Sequence, residues 1–500
     1  MADFFAEIDR VGGVSEWRHR GNGLRVLVSP TPVAPVVGLG VVYLVGSRFE
    51  VPGHTGATHI LEHLMFKGTE RYNRERGTEI ARELHRVGAS FNATTWLDRT
   101  NYYEVLSPDQ LPLAIDIESD RMRGALVRDS DLESERTVLL NELDAGENDP
   151  FDLLMKSSFA HAYLEHPYHH PTIGWRSDVE QMTGQVLRDF YNTYYHPDNA
   201  TVIVVGDVDE ATALGEVERG FGALKKAPRP FAGGGHREQP QRGQRRFNIH
   251  RAGELSCLAL TWHIPHGLHA DLPALSVLTQ VLGDGVTSRL HQRLVETNRC
   301  LGIHASAMEL HDPGVFQIFA TVAPGVDRDE VETAILEEVA SVARQPPSGD
   351  EMKRALAQQH PTAMRELFED DVVASVWTSV WSPSRLNRIW VRCTECGSLE
   401  DVNDDDTWVA SGSPYFAREH TSETSFEEHG DRPTNIDWGV SSSSGVPRAP
   451  ASMGDDAFGF DSSPPSNPLI DTGAPTDYPT EPGFAADQSL SALRDAMRTS

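Results

Sequence analysis

The hydrophobic pattern changes period several times within the first 230 residues. LRVLVSP (24–30) and VVGLGVVYLV (36–45) are β-branched runs broken by TPVAP, which predicts two adjacent strands. Beyond a Pro-Gly turn, ATHILEHLMF takes up helical spacing, with Ile60, Leu61 and Leu64 as its apolar stripe. RERGTEIARELHRVG (74–88) reads as a second helix closed by Gly88, and SFNATTW with NYYEVLS as a hairpin of strands. Ser107-Pro108-Asp109-Gln110 has the form of a capping box with proline at the first helical position. DLESERTVLLNELDAGEND (131–149) is a long helix ended by Pro150, and further helices lead through VLRDFYNTYYHPDNA to a strand at TVIVVGDV (201–208).

A Pro/Gly/Arg-rich linker, APRPFAGGGHREQPQRGQRR (227–246), separates this block from a second one. The second block has a strand pattern at LSCLALTWHIP, a helix at ALSVLTQVLG, a strand at GVFQIFATVAP and a helix at DEVETAILEEVASVARQ, an order that repeats the first half. Helices and strands without regular β-α-β alternation predict an α+β fold: two tandem, similar sandwich domains, each a mixed antiparallel sheet packed with helices. The boundaries read as 14–226 for the first domain, 247–392 for the second, and 393–500 for an acidic tail. After Cys396 there are 19 Asp and Glu against 5 Arg and no Lys, so this segment cannot bury enough apolar surface to offset its ordering entropy and is expected to be largely disordered. SLSALRDAM near the end reads as one short helix.

At 500 residues the chain is too long for one core, and 39% hydrophobic with 24% charged residues fits a globular protein with a polar extension. A net charge of -30 excludes nucleic acid and an anionic membrane surface as partners, since both need a basic face. No apolar run reaches the roughly 18 residues of a spanning helix, and MADFFAEIDRVGGVSEW lacks the blocks of a secretory signal. Four cysteines form no disulfide framework, which suggests a reducing compartment; the expected location is cytoplasmic.

Within the first helix, THILEHLMFKG (58–68) contains an H-x-x-E-H pattern at His59, Glu62 and His63. Positions i and i+4 share a helix face, so both imidazoles can point at a single ion. Hydrolytic zinc sites take three protein ligands and keep a fourth position for water. Two histidines are one ligand short, so a carboxylate from elsewhere must complete the set and leave Glu62 free to take a proton from the water. Histidines on a helix are more often core or surface residues than ligands; the flanking sequence changes those odds.

That flanking sequence resembles the insulinase/pitrilysin family of inverted-zincin metallopeptidases over about residues 20 to 345. The resemblance rests on GNGLRVLVSPTPVAPVV, GSRFEVPGHTGATHILEHLMFKGTERY, NATTWLDRTNYYEV, ESERTVLLNELDAGENDP, HPYHHPTIGW and FYNTYYHPDNATVIVVGDVD, in the family's order. It implies one zinc per chain and an endopeptidase that hydrolyses extended or unfolded peptides, with Glu62 as general base. It places Glu142, in ESERTVLLNEL, as the third ligand and Glu135 as an acid supporting the ligands. Asn92 and Ala93 match the edge strand where family members pair backbone with substrate. His54, His85, His161, His166, His169 and His170 have no such support and read as structural or surface residues.

Two departures matter. The family often supplies a substrate-holding arginine and tyrosine from its later domain, but in TSRLHQRLVETNRCLGIHASA Val295 stands where the arginine would be, and no tyrosine occurs between 286 and 315. Arg289 and Arg293 read as supports of the fold. The second domain should also close on a helix and strand near 430, where the chain instead runs into SVWTSVWSPSRLNRIWVRCTECGSLEDVNDDD. Cys393 and Cys396 in that stretch read as two reduced thiols, with no partner pair at zinc-ribbon spacing. The missing clamp implies a dimer, with a motif-lacking paralogous chain favoured as the second member. The alternative function is a non-catalytic scaffold subunit, which would have no reason to keep all four of His59, Glu62, His63 and Glu142.

Overall fold

The computed structural model describes residues 3–229, 231, 237–251, 253 and 255–365, with side chains to Gln358. The acidic tail, Cys393 and Cys396, the terminal helix and the end of the second domain lie outside the described residues. The first domain comprises β1 (Phe5–Val11), β2 (Val14–His19), β3 (Arg25–Pro30), β4 (Val37–Tyr43), α1 (Ala57–Met65), α2 (Ile80–Arg86), β5 (Ser90–Thr95), β6 (Thr100–Leu106), α3 (Leu111–Gly124), α4 (Asp129–Asn148), α5 (Pro150–Ala162), α6 (Arg176–Gln181), α7 (Gly184–Tyr194), β7 (Ala200–Gly206) and α8 (Glu210–Phe221). The second comprises β8 (Ser256–His263), α9 (Leu272–Leu282), β9 (Cys300–Met308), β10 (Val315–Val322), α10 (Arg328–Arg344) and α11 (Gly349–Arg365).

Seven strands form the first sheet in the order β1-β2-β3-β7-β4-β6-β5. The strands expected to be adjacent, β3 and β4, are therefore separated: β7 inserts between them, parallel to β3 (Val26 opposite Val202) and antiparallel to β4 (Leu39 opposite Val204). The reason lies in composition. ATVIVVG is apolar on both faces, as a central strand must be, and its first five residues are buried. Alternate side chains of the sheet (Val26, Val28, Leu39, Val41, Tyr102, Val202, Val204) pack under the helices, and the opposite parity (Leu27, Val42, Tyr103, Ile203) forms a small cluster on the other face.

Ile60, Leu61 and Leu64 of α1 are at most 1% exposed in the main core. Each such burial is worth about 1.5–3 kcal/mol, so the rotation of α1 about its axis is fixed and with it the direction of His59 and His63. Two expected helices differ in detail. The 74–88 segment is not continuous: Arg74–Arg76 make a 3₁₀ turn, Gly77 adopts φ 67°, and α2 begins only at Ile80. Ser107 makes no capping bond, because its hydroxyl donates to the Asp109 carboxylate at 2.6 Å, and the helix starts as a 3₁₀ turn over Pro108–Gln110.

In the second sheet β8 and β9 flank β10, both antiparallel. β10 thus holds β8 and β9 as β6 holds β4 and β5, which establishes the repeated α+β domain read from the sequence. β9 falls within the stretch compared with the family's substrate clamp, where no strand was expected, and β1 lies ahead of residue 14. α9, which occupies the place of α1 in the repeat, is LPALSVLTQVL and offers no ligand. No helix among the described residues is long and apolar enough to cross a membrane.

Candidate active site

The N-terminus of α1 is anchored by a buried acid. Glu50 accepts from the backbone N–H of Gly56 and of Thr58, both at 2.7 Å, and these are orphan donors of the first turn. Burial pushes the Glu50 carboxyl up to about 8, with the two amide donors acting against it. Gly56, at φ 87°, is required here: a Cβ would meet the Ile173 carbonyl oxygen at 2.7 Å.

One turn later His59 and His63 lie side by side, ring centroids 4.9 Å apart, facing α4. Glu142 Oε1 is 3.6 Å from His59 Nε2, and its Oε2 is 3.7 Å from His63 Nε2. One ligand atom from each of the three residues falls within 4.8 Å of the others. These separations are too long for hydrogen bonds. They suit ligands of a common ion, since two atoms each about 2 Å from zinc at a tetrahedral angle lie about 3.3 Å apart. Nδ1 of His63 is 3.2 Å from Glu135 Oε2, which assigns the proton to Nδ1 and turns the Nε2 lone pair toward Glu142. Burial lowers the His59 pKa to about 3, with His63 adding to the effect, so the ring is neutral at neutral pH, as a ligand must be. Two imidazoles and a carboxylate converging without a donor between them fit a divalent cation. Burial raises the Glu142 carboxyl, opposed by His63.

Glu135 lies two turns from Glu142 on α4 and is also ion-paired to Lys67. Burial would raise its carboxyl, but Lys67 and His63 bring it below the ordinary value. Glu62 is 9% exposed and accepts a hydrogen bond from the Thr95 hydroxyl on β5. Burial raises its carboxyl; the Thr95 bond opposes this.

β5 is the edge of the sheet, paired with β6 alone among the described residues. Asn92 and Ala93 lie on it, one exposed and one buried, and the Asn92 side-chain oxygen accepts from the Ala93 N–H at 2.9 Å. Sequence reasoning missed Thr95, Glu50 and Lys67. The alternation of β5, with Ala93 inward and Thr95 two residues on, was the available signal for the first. None of the six histidines set aside joins the metal group: His166 meets Asp312 at 3.1 Å and His170 lies 3.8 Å from Glu50. Arg289 is 2.7 Å from Glu351 and Arg293 is 3.1 Å from Glu338, pairs internal to the second domain.

Both halves of the chain are similar to known proteins. The family model described as Insulinase (Peptidase family M16) matches residues 25–174, and that described as Peptidase M16 inactive domain matches residues 181–359. The zinc protease PqqE of Helicobacter pylori is 32% identical over 63% of this chain and 71% of its own length, and the uncharacterized zinc protease Rv2782c of Mycobacterium tuberculosis is 33% identical over 64% and 73%. The crystal structure of a protease from Helicobacter pylori superposes with a TM-score of 0.70 at 28% identity, covering 75% of this chain and 90% of that one. Pitrilysin shares the fold at 19% identity and a TM-score of 0.59, over 77% of this chain and 43% of its own. The fold is that of a two-domain M16 protein, with His59, His63 and Glu142 brought together in the first domain. The chain belongs to the insulinase family, peptidase M16.

Proposed function

We propose that this chain is a zinc-dependent endopeptidase that hydrolyses extended or unfolded peptides. The observation that carries the reading is the convergence of His59, His63 and Glu142 beside a buried Glu62. Those three would hold one zinc ion, which when bound supplies a Lewis acid that polarises the scissile carbonyl and acidifies water. Glu62 takes the proton from the attacking water and returns it to the leaving amine. Thr95 fixes the Glu62 carboxylate through its hydroxyl. The substrate adds to the sheet along β5 at Asn92 and Ala93, where backbone pairing gives affinity without demanding a particular sequence. A dimer, with a second chain lacking the motif, completes the substrate enclosure; in support, Arg289 and Arg293 are already committed to acids of their own domain, and the chain matches under half of pitrilysin.

Metal analysis of the purified chain beside a peptide-cleavage assay tests the reading. About one zinc per chain, cleavage abolished by a chelator and restored by zinc are expected. Cleavage that survives stoichiometric metal removal would overturn it.

A further inference from the structure

Asp312 belongs to the second domain, in the turn between β9 and β10, yet most of what holds it comes from the first. Arg48 Nη1 donates to Asp312 Oδ2 at 2.8 Å, and His166 Nε2 lies 3.1 Å from the same oxygen. Its neighbour His311 places Nδ1 at 3.2 Å from Oδ1. Burial would raise the Asp312 carboxyl, but these two histidines and the Arg48 charge hold it well below the ordinary range. Arg48 is 5% exposed, and its Nε is 2.8 Å from Asp98 Oδ1, so one guanidinium joins an acid from each domain. Asp98 also accepts from the Tyr168 hydroxyl at 2.9 Å and from the backbone N–H of His311 at 2.9 Å. Leu97, Tyr168, Leu310 and Val315 are buried together around this junction.

Leu97 and Asp98 form the bend that follows β5, one residue beyond Thr95. On its other side, the N–H groups of Ser47 and Arg48 donate to the carbonyls of Trp96 and Leu97 at 3.1 and 2.8 Å. The turn is thereby gripped between residues 46–48 and residues 310–312. Buried ion pairs are weak adhesives compared with apolar packing of the same volume, and their better-attested use is to select one geometry. What is selected here is the position of the strand whose threonine holds Glu62.

We propose that Asp312 is a positioning residue: through Arg48 and Asp98 the second domain sets the β5–β6 turn, and hence the placement of Thr95 against Glu62. The catalytic part of this inference rests on the endopeptidase reading above; the structural part does not.

The test is a double-variant cycle on the full chain, Asp312→Ala with Thr95→Val, read by peptide cleavage and by hydrogen exchange of the β5 amides. Asp312→Ala should lower kcat about tenfold, the scale of one lost hydrogen bond to a charged group, with a smaller change in KM and unchanged zinc content. In the Thr95→Val background the same substitution should cost less than about twofold, because both act through one contact. Exchange at 92–95 should accelerate about tenfold while β10 keeps its protection. Multiplicative losses in the double variant, or unchanged exchange in β5, would overturn the proposal. If the wild-type chain cleaves no peptide, the functional reading fails and the exchange of β5 alone decides the positioning claim. Should Asp312→Ala not fold, Asp312→Asn, which keeps the volume and one acceptor for Arg48, carries the same cycle.

Discussion

Glu135 Oε2 lies 3.2 Å from Nδ1 of His63, while Glu142 on the same helix faces Nε2 of that ring at 3.7 Å. One helix therefore supplies both the carboxylate facing the two imidazoles and the group that orients one of them. Outer-shell partners of this kind typically contribute about 10–100-fold in metal affinity. Glu135→Ala should weaken zinc binding by about that factor, measured by competition with a chelator of known affinity, and Glu135→Gln, which keeps an acceptor, should lose less. Unchanged affinity in Glu135→Ala would separate Glu135 from the metal site.

Glu62→Gln preserves shape and the Thr95 contact but cannot accept a proton. It should retain stoichiometric zinc and lose about 10²–10⁴-fold in kcat. Parallel metal analysis and steady-state kinetics check both halves, and wild-type turnover in the variant would remove Glu62 from the base role.

Glu50→Ala removes a buried carboxyl group and leaves the Gly56 and Thr58 amides without their acceptor. Stranding two buried donors should cost about 2–5 kcal/mol of unfolding free energy, visible in denaturant titration. Because α1 carries both histidines, zinc affinity should fall with it. A stability loss under about 1 kcal/mol would mean that water replaces the carboxylate readily.

A pH dependence follows from the second domain. The hydrogen bond from Arg289 holds the Glu351 carboxyl down to about 2, against some burial and with help from Ser348. Its folded pKa is thus below the unfolded value of about 4.3, so the stabilisation is complete above that pH and is lost as pH falls toward 2. Glu351→Gln should lower Tm at pH 7, and the gap to wild type should close between about pH 4.5 and pH 2. A gap that stays constant across this window would place the effect in packing rather than charge.

α1 could be read from the sequence because its own core stripe, Ile60, Leu61 and Leu64, fixes which face is left for His59 and His63. Glu142 could not be found by local pattern. It lies on another helix, far along the chain, and only the family resemblance singled it out. Thr95 and Glu50 escaped because a threonine in a strand and a glutamate before a Pro-Gly turn are ordinary in isolation; their roles arise from what packs against them. The separation of β3 from β4 was invisible for a related reason: local periodicity marks strands but carries no information on their order in a sheet. Gly77 did carry a local signal, a left-handed break inside an otherwise helical pattern, and reading past it merged a 3₁₀ turn with α2.

The insertion of β7 between β3 and β4 also sets a clock on biogenesis. Domains tend to fold as units while the chain emerges from the ribosome. Here the centre of the sheet stays divided until Ala200–Gly206 has been made, long after α1 and α4 have appeared. The His59, His63 and Glu142 cluster is drawn together on the helical layer that this sheet supports. A nascent or prematurely terminated chain ending before β7 thus lacks the central strand of the platform on which His59, His63 and Glu142 converge.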